Sequence, residues 1–237
     1  RSGGCWSKAF HGTVHPSRGG LMTRLLRSPS GVASWDWVVE ERFTDHIGFG
    51  VRCTVTVTRI LEEFDLLKLS EVCVRWHRDG QGSVGLESVI WVHEGGGVAP
   101  EYIVQRIWDS RPAAYPDSTV GSIRISGPGS WRNSDGEDNS EPQLIWMTCM
   151  PTDTEVWFEI TVCHDIWAEY DFFGNAHKVV YDYNAPRLAS ALKSIEEELG
   201  VGIEEGDPTF YASPKKYGVV SHPGEAPGRG FDSSSLL

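Results

Sequence analysis

The chain has 237 residues, 40% of them hydrophobic and 11% aromatic, with ten tryptophans. That is too much apolar material for a disordered chain, and it suffices for one sizeable core. The formal net charge of −12 argues against a general nucleic-acid binder, which needs clustered Lys and Arg to meet phosphates. No run of about 18 apolar residues marks a membrane span, and the first residues lack the apolar core of a secretory signal.

The basic residues are unevenly placed. Arg1, Lys8, Arg18, Arg24 and Arg27 fall among the first 30 residues, which contain no acid, so the remainder is more acidic still. Residues 1–21 are rich in Gly, Ser, His and Pro without periodicity and read as a disordered arm or a non-native leader. Residues 22–218 read as a single domain and 219–237 as a disordered tail, rich in Pro, Gly and Ser. Four of the five cysteines, Cys53, Cys73, Cys149 and Cys163, lie in apolar or alternating segments. Buried reduced thiols in a cytoplasmic protein fit that placement better than a disulfide framework.

From Ser34 onward apolar residues recur with a period of two, the signature of half-buried strands. Strands are predicted over Trp35–Glu41, Phe49–Arg59, Leu69–His77, Val84–His93, Thr119–Ser126, Gln143–Met150, Glu155–Cys163 and Lys178–Tyr183. Arg78–Gly82 and Pro151–Thr154 carry turn residues and read as hairpin loops. Short connections favour an antiparallel meander. Pro100–Asp109 suits a helix or a strand. Asn184–Leu199 is a clearer helix, with Asn184 as cap and Pro186 in the first turn. Leu188, Ala191, Leu192, Ile195 and Leu199 form its apolar stripe, and Gly200 stops it. Asn133–Pro142 reads as a polar, flexible loop. The predicted class is α+β: a mainly antiparallel sheet of about seven to eight strands with one C-terminal amphipathic helix packed on it.

Motifs for chemistry are weak. Gly95–Gly97 lacks the Lys-Ser/Thr of a phosphate loop, and no GxSxG elbow, CxxC or HExxH occurs. Asp135, Glu137, Asp138 and Glu141 do not match the ligand spacing of a calcium loop. For zinc, Cys73/His77, His93, the run Cys163–Asp165 and His177 are each explained by a strand or a strand end. No metal, cofactor or catalytic residue is assigned. An alternative pocket for a small-molecule enzyme or binder would draw on His77, Trp91, His93, His164 and Asp165, with Asp165 orienting the His164 imidazole. Asp165–Gly174, with Trp167, Tyr170, Phe172 and Phe173, reads as an aromatic lid.

The most informative charge feature follows the predicted helix. Glu196, Glu197, Glu198, Glu204, Glu205 and Asp207 are six acids with no base among residues 196–207. Acids at a helix C-terminus oppose the macrodipole. An acidic surface that docks a basic protein gains fast, salt-sensitive association. These six residues are the predicted binding site.

The segments Tyr183–Leu192 and Gly206–Gly218 resemble small uncharacterised actinobacterial proteins, some of the kind proposed as immunity partners of polymorphic toxins. The resemblance covers the last third of the chain and carries no catalytic signature. It implies a compact cytoplasmic α+β protein that binds and blocks a toxin, and it assigns no individual residue. The expected function is therefore a non-enzymatic interaction module with a basic toxin domain as partner. The rivals are the small-molecule enzyme or binder and a structural subunit that makes its contacts through exposed Trp.

Overall fold

The computed structural model describes residues 25–92 and 99–237; the predicted arm at 1–21, His93 and Gly95–Gly97 lie outside them. The described chain forms an α+β architecture built on a seven-stranded, wholly antiparallel sheet. Its strands are β1 (Ala33–Glu40), β2 (Glu71–Arg78), β3 (Gly82–Trp91), β4 (Thr119–Ser126), β7 (Ile145–Pro151), β8 (Glu155–Val162) and β9 (Glu204–Glu205), in the spatial order β3-β2-β4-β7-β8-β1-β9. Two hairpins lie outside it, β5 (Gly129–Arg132) with β6 (Asp138–Glu141), and β10 (Ala212–Lys215) with β11 (Gly218–Ser221). The segment predicted as a loop over Asn133–Pro142 thus includes strand β6.

Strand alternation sorts the sheet into two faces. One row runs Trp35, Ile160, Met147, Ile125, Val72 and Ile90 across six strands, and all six are buried. The next row on that face includes Trp37, Phe158, Cys149, Ile123 and Val74, again buried. Trp35, Trp37 and Trp76 are fully enclosed. Each removes about 150–250 Å² from water, which stabilises the fold by about 4–6 kcal/mol before entropy is counted.

Among the described residues the fold has three α-helices: α1 (His46–Glu63), which was not predicted, α2 (Pro100–Asp109), where the sequence suits a helix or a strand, and α3 (Lys178–Leu199), which contains the predicted C-terminal helix. The apolar rows of the sheet require such a cover. The strand predicted at Phe49–Arg59 is the middle of α1. Its Val and Thr residues alternate, but Ile47, Val51, Thr54, Val55, Thr58 and Leu61 also recur at helical spacing, and all six are buried, as are Val57, Gly48 and Gly50. Asp45 caps the start by accepting the Gly48 amide at 2.9 Å. Thr58 returns its hydroxyl to the Thr54 carbonyl at 2.8 Å, so a polar group on the buried stripe is satisfied. Gly50 lets α1 approach the sheet closely, since a Cβ there would sit 3.1 Å from Cys149 Sγ and 3.3 Å from Pro151 Cβ. The meander is interrupted for the same reason. After β1 the chain crosses the sheet through α1, and β2 lies with three strands between it and β1.

The strand predicted at Lys178–Tyr183 is likewise helical, forming the opening turns of α3. Val180 and Asn184 extend the stripe of Leu188, Ala191, Leu192 and Ile195 upstream by two helical intervals, and Pro186 lies inside the helix rather than at its start. Gly200 ends it in a left-handed conformation, φ 68°. Asn184 is therefore no cap. It is fully buried, and its side chain pairs with β5 as a strand residue would. Its Oδ1 accepts the Arg132 amide at 2.9 Å, and its Nδ2 donates to the Arg132 carbonyl at 2.8 Å and to the Val180 carbonyl at 2.7 Å.

Residues 222–237, read from composition as a tail, are tied back to the body. Phe231 donates its amide to the His222 carbonyl at 2.9 Å, Ser233 to Phe172 at 2.8 Å, and the Tyr211 hydroxyl to the Leu236 carbonyl at 2.9 Å. The Asp165–Gly174 segment beneath it is largely interior, with Trp167 and Phe172 buried and Phe173 exposed. Among the described residues Cys73, Cys149 and Cys163 are buried, Cys53 is half-buried, and all four are free thiols. No helix among them is long and apolar enough to cross a membrane.

Asn184→Ala would leave the partly buried Arg132 amide and carbonyl without the side chain that pairs with them. The expected loss is about 2–4 kcal/mol, read as a lower urea midpoint with an unchanged slope.

Candidate functional site: the helix-free face of the sheet

The face opposite the helices carries a different row. From one edge to the other it reads Glu204, Asp36, Glu159, Thr148, Arg124, Cys73 and Val89. Directly opposed residues on neighbouring strands lie about 4.5–5.5 Å apart at Cβ. The row therefore sets three carboxylates side by side on β9, β1 and β8. Like charges in that arrangement repel.

The electrostatics follow. Burial, then the charges of Glu159, Glu204 and Asp207, raise the Asp36 carboxyl to about 6. Burial raises Glu159 as well, offset in part by a hydrogen bond from Ser34. Asp36 Oδ1 is shielded from solvent and has no hydrogen-bond partner among the described residues. The neighbouring rows place Trp146 on β7 beside Thr161 on β8, and Trp157 on β8 beside Val38 on β1 and Met150 on β7. Both tryptophans are half-buried, so the carboxylates sit between two partly covered indoles. Positive charge stands beside one of these indoles, where the Arg27 guanidinium lies 6.0 Å from the Trp146 ring, and again toward the far end of the sheet. There Arg75 pairs with Glu87 at 2.9 Å, and Arg124 contributes to holding that glutamate below its usual range, after the Arg75 and Cys73 hydrogen bonds.

The acidic run is divided among several roles. Glu196 accepts the Tyr217 hydroxyl at 2.6 Å, and Glu197 lies 3.8 Å from Lys193 on the exposed side of α3. Glu198 is exposed in the same turn. Glu205, opposite Trp35, accepts the Lys216 amide at 2.6 Å. Only Glu204 and Asp207 act on Asp36. Asp36, Glu159, Trp146 and Trp157 are absent from the sequence-predicted site. Their signal is the alternation within β1, β7 and β8, but it becomes a site only once strand order makes them neighbours.

The residues of the alternative pocket are not gathered in one place. His77 ends β2 at one end of the sheet, whereas His164 and Asp165 follow β8 at the other. Trp91 lies on edge strand β3, 63% exposed. His164 is 1% exposed, and neither ring nitrogen has a hydrogen-bond partner among the described residues. Burial, then the charge of Arg27, lowers it to about 4, so the imidazole is neutral at pH 7, and Glu141 at 3.9 Å faces an uncharged ring. Asp165 is raised to about 7, chiefly by burial, while backbone amides including that of Leu26 hold its charged form. The carboxylate thus does not orient the imidazole. His177 instead places its Nε2 2.7 Å from the Ala168 carbonyl oxygen. Among the described residues no three His, Cys, Asp or Glu side chains converge as metal ligands.

The raised Asp36 carboxyl gives a signed expectation. Its folded value of about 6 lies above the ordinary aspartate value of 3.8, so its ionisation opposes folding as pH rises through that window. Asp36→Asn should be more stable than the parent above pH 6, and the gain should shrink to baseline below about pH 4. Urea titrations at pH 3.5, 5 and 8 measure it; a gain independent of pH would contradict it.

Comparison of the chain with family models, with curated proteins and with solved structures returns no match.

Proposed function

We propose that the protein is a non-enzymatic binding module whose helix-free sheet face docks a basic partner protein. The observation that carries this reading is the Glu204–Asp36–Glu159 row. Three adjacent carboxylates, one with a shielded and unpartnered oxygen, destabilise the free protein. A Lys or Arg from a partner would supply the missing counter-charge, and Trp157 would exclude water around it and take a cation–π contact of the kind Trp146 already makes with Arg27. Glu197, Glu198 and Asp207 extend the negative field beyond the row and would steer a basic partner toward it.

The partner class we favour is a toxin domain, with this chain as its immunity protein. The resemblance of Tyr183–Leu192 and Gly206–Gly218 to proteins of that kind supports the choice, as does the acidic balance of the chain. The small-molecule pocket built from His164 and Asp165 loses support, because a neutral, unpartnered imidazole and a carboxyl turned to backbone amides offer no acid–base pair.

Co-expression with any toxin-type domain found encoded beside this chain tests the reading. The parent should relieve growth arrest. Glu159→Lys combined with Glu204→Lys should slow association about tenfold at low salt, with little loss of melting temperature. Unchanged association kinetics in that variant, or a neighbourhood without any such domain, would count against it.

A further inference from the structure

At the end of the sheet that carries His77, β4 and β7 part. They pair only through Ile123–Cys149, Arg124–Thr148 and Ile125–Met147, and a cavity of about 570 Å³ occupies the fork beyond. That is the size of a small-ligand site.

Two features of the strands open the fork. Gly121 is the extra residue of a bulge in β4, where Arg75 faces Ser122 but Trp76 faces Val120, and a bulge bends its strand. In β7, Thr152 donates its amide to the Glu155 carbonyl at 2.8 Å, so the preceding pair, Pro151 with Val156, is of the kind whose amide groups point away from β8. The nitrogen of Pro151 therefore faces β4 and has no hydrogen to give, and the ladder stops there. Among the described residues, no hydrogen bond across the fork joins Thr119–Ser122 to Met150–Pro151.

Each wall of the fork carries one imidazole and one carboxylate. His77 and Asp79 come from the end of β2 and its turn. His46, at the start of α1, and Asp153, in the β7–β8 hairpin, come from the other side, where Phe43 donates its amide to the Asp153 carbonyl at 3.0 Å. The floor between them is apolar, formed by Val120, Met150 and Pro151.

We propose that this fork binds a short peptide with free termini. An unpaired strand edge offers alternating donors and acceptors, and the ligand chemistry that matches it is another amide backbone. The carboxylates suit an ammonium terminus, and the imidazoles suit a carboxylate terminus. The site lies apart from the acidic row and stands whether or not that row binds a toxin.

The experiment titrates the ¹⁵N-labelled protein with tetraalanine carrying free termini. Saturable shifts are expected at the amides of Thr119–Ser122, Thr152 and Asp153. His77→Ala and Asp153→Asn should each weaken binding about tenfold, while Glu159→Lys should leave it unchanged. Asp153 is exposed, so its variant reads binding without a folding penalty. An absence of shifts in those amides at millimolar peptide, or parental affinity in both fork variants, would overturn the proposal.

Discussion

The structure depends on one constraint: a seven-stranded antiparallel sheet must bury one complete face, and its helices can cover only that face. Trp35, Ile160, Met147, Ile125, Val72 and Ile90 stand in register from β1 to β3. A slip of one residue in any strand would turn its buried set toward the opposite side. The α1 crossing, the long α3 and the Asn184 clasp onto β5 all serve this cover. The polar row between the apolar ones is fixed by the same registration.

That fixed row explains why an unfavourable arrangement persists. Asp36, Glu159 and Glu204 cannot turn away from one another without moving strands whose other faces are in the core. Their repulsion is held in place by packing, and binding sites commonly retain such local costs. The flanking indoles sharpen the effect, because partial burial raises the charged form in free energy before any like charge is added.

Much of the sheet was legible in the sequence. Alternation located β1, β2, β3, β4, β7 and β8 to within a few residues, since each has one apolar and one polar face. It misread α1, where Val51, Val55 and Val57 satisfy both a period of two and a helical stripe, and local propensity favours the strand. It misread the start of α3 because Asn184 and Pro186 mimic a helix opening, although the asparagine serves a strand across the interior. The acidic run between Glu196 and Asp207 was visible as composition. Its division among Tyr217, Lys216 and Asp36 was not, because those partners depend on the position of β9 and on the turn after β10.

The central claim is that Asp36 sits in an uncompensated carboxylate row that a basic partner neutralises. The most direct measurement is a carbon-detected NMR titration of the Asp36 side chain in the free protein and in complex. The account predicts a midpoint near 6 when free, falling by at least about one unit when a cation binds beside it. A free midpoint near the ordinary aspartate value of 3.8, or one that a bound basic partner leaves unmoved, would contradict it.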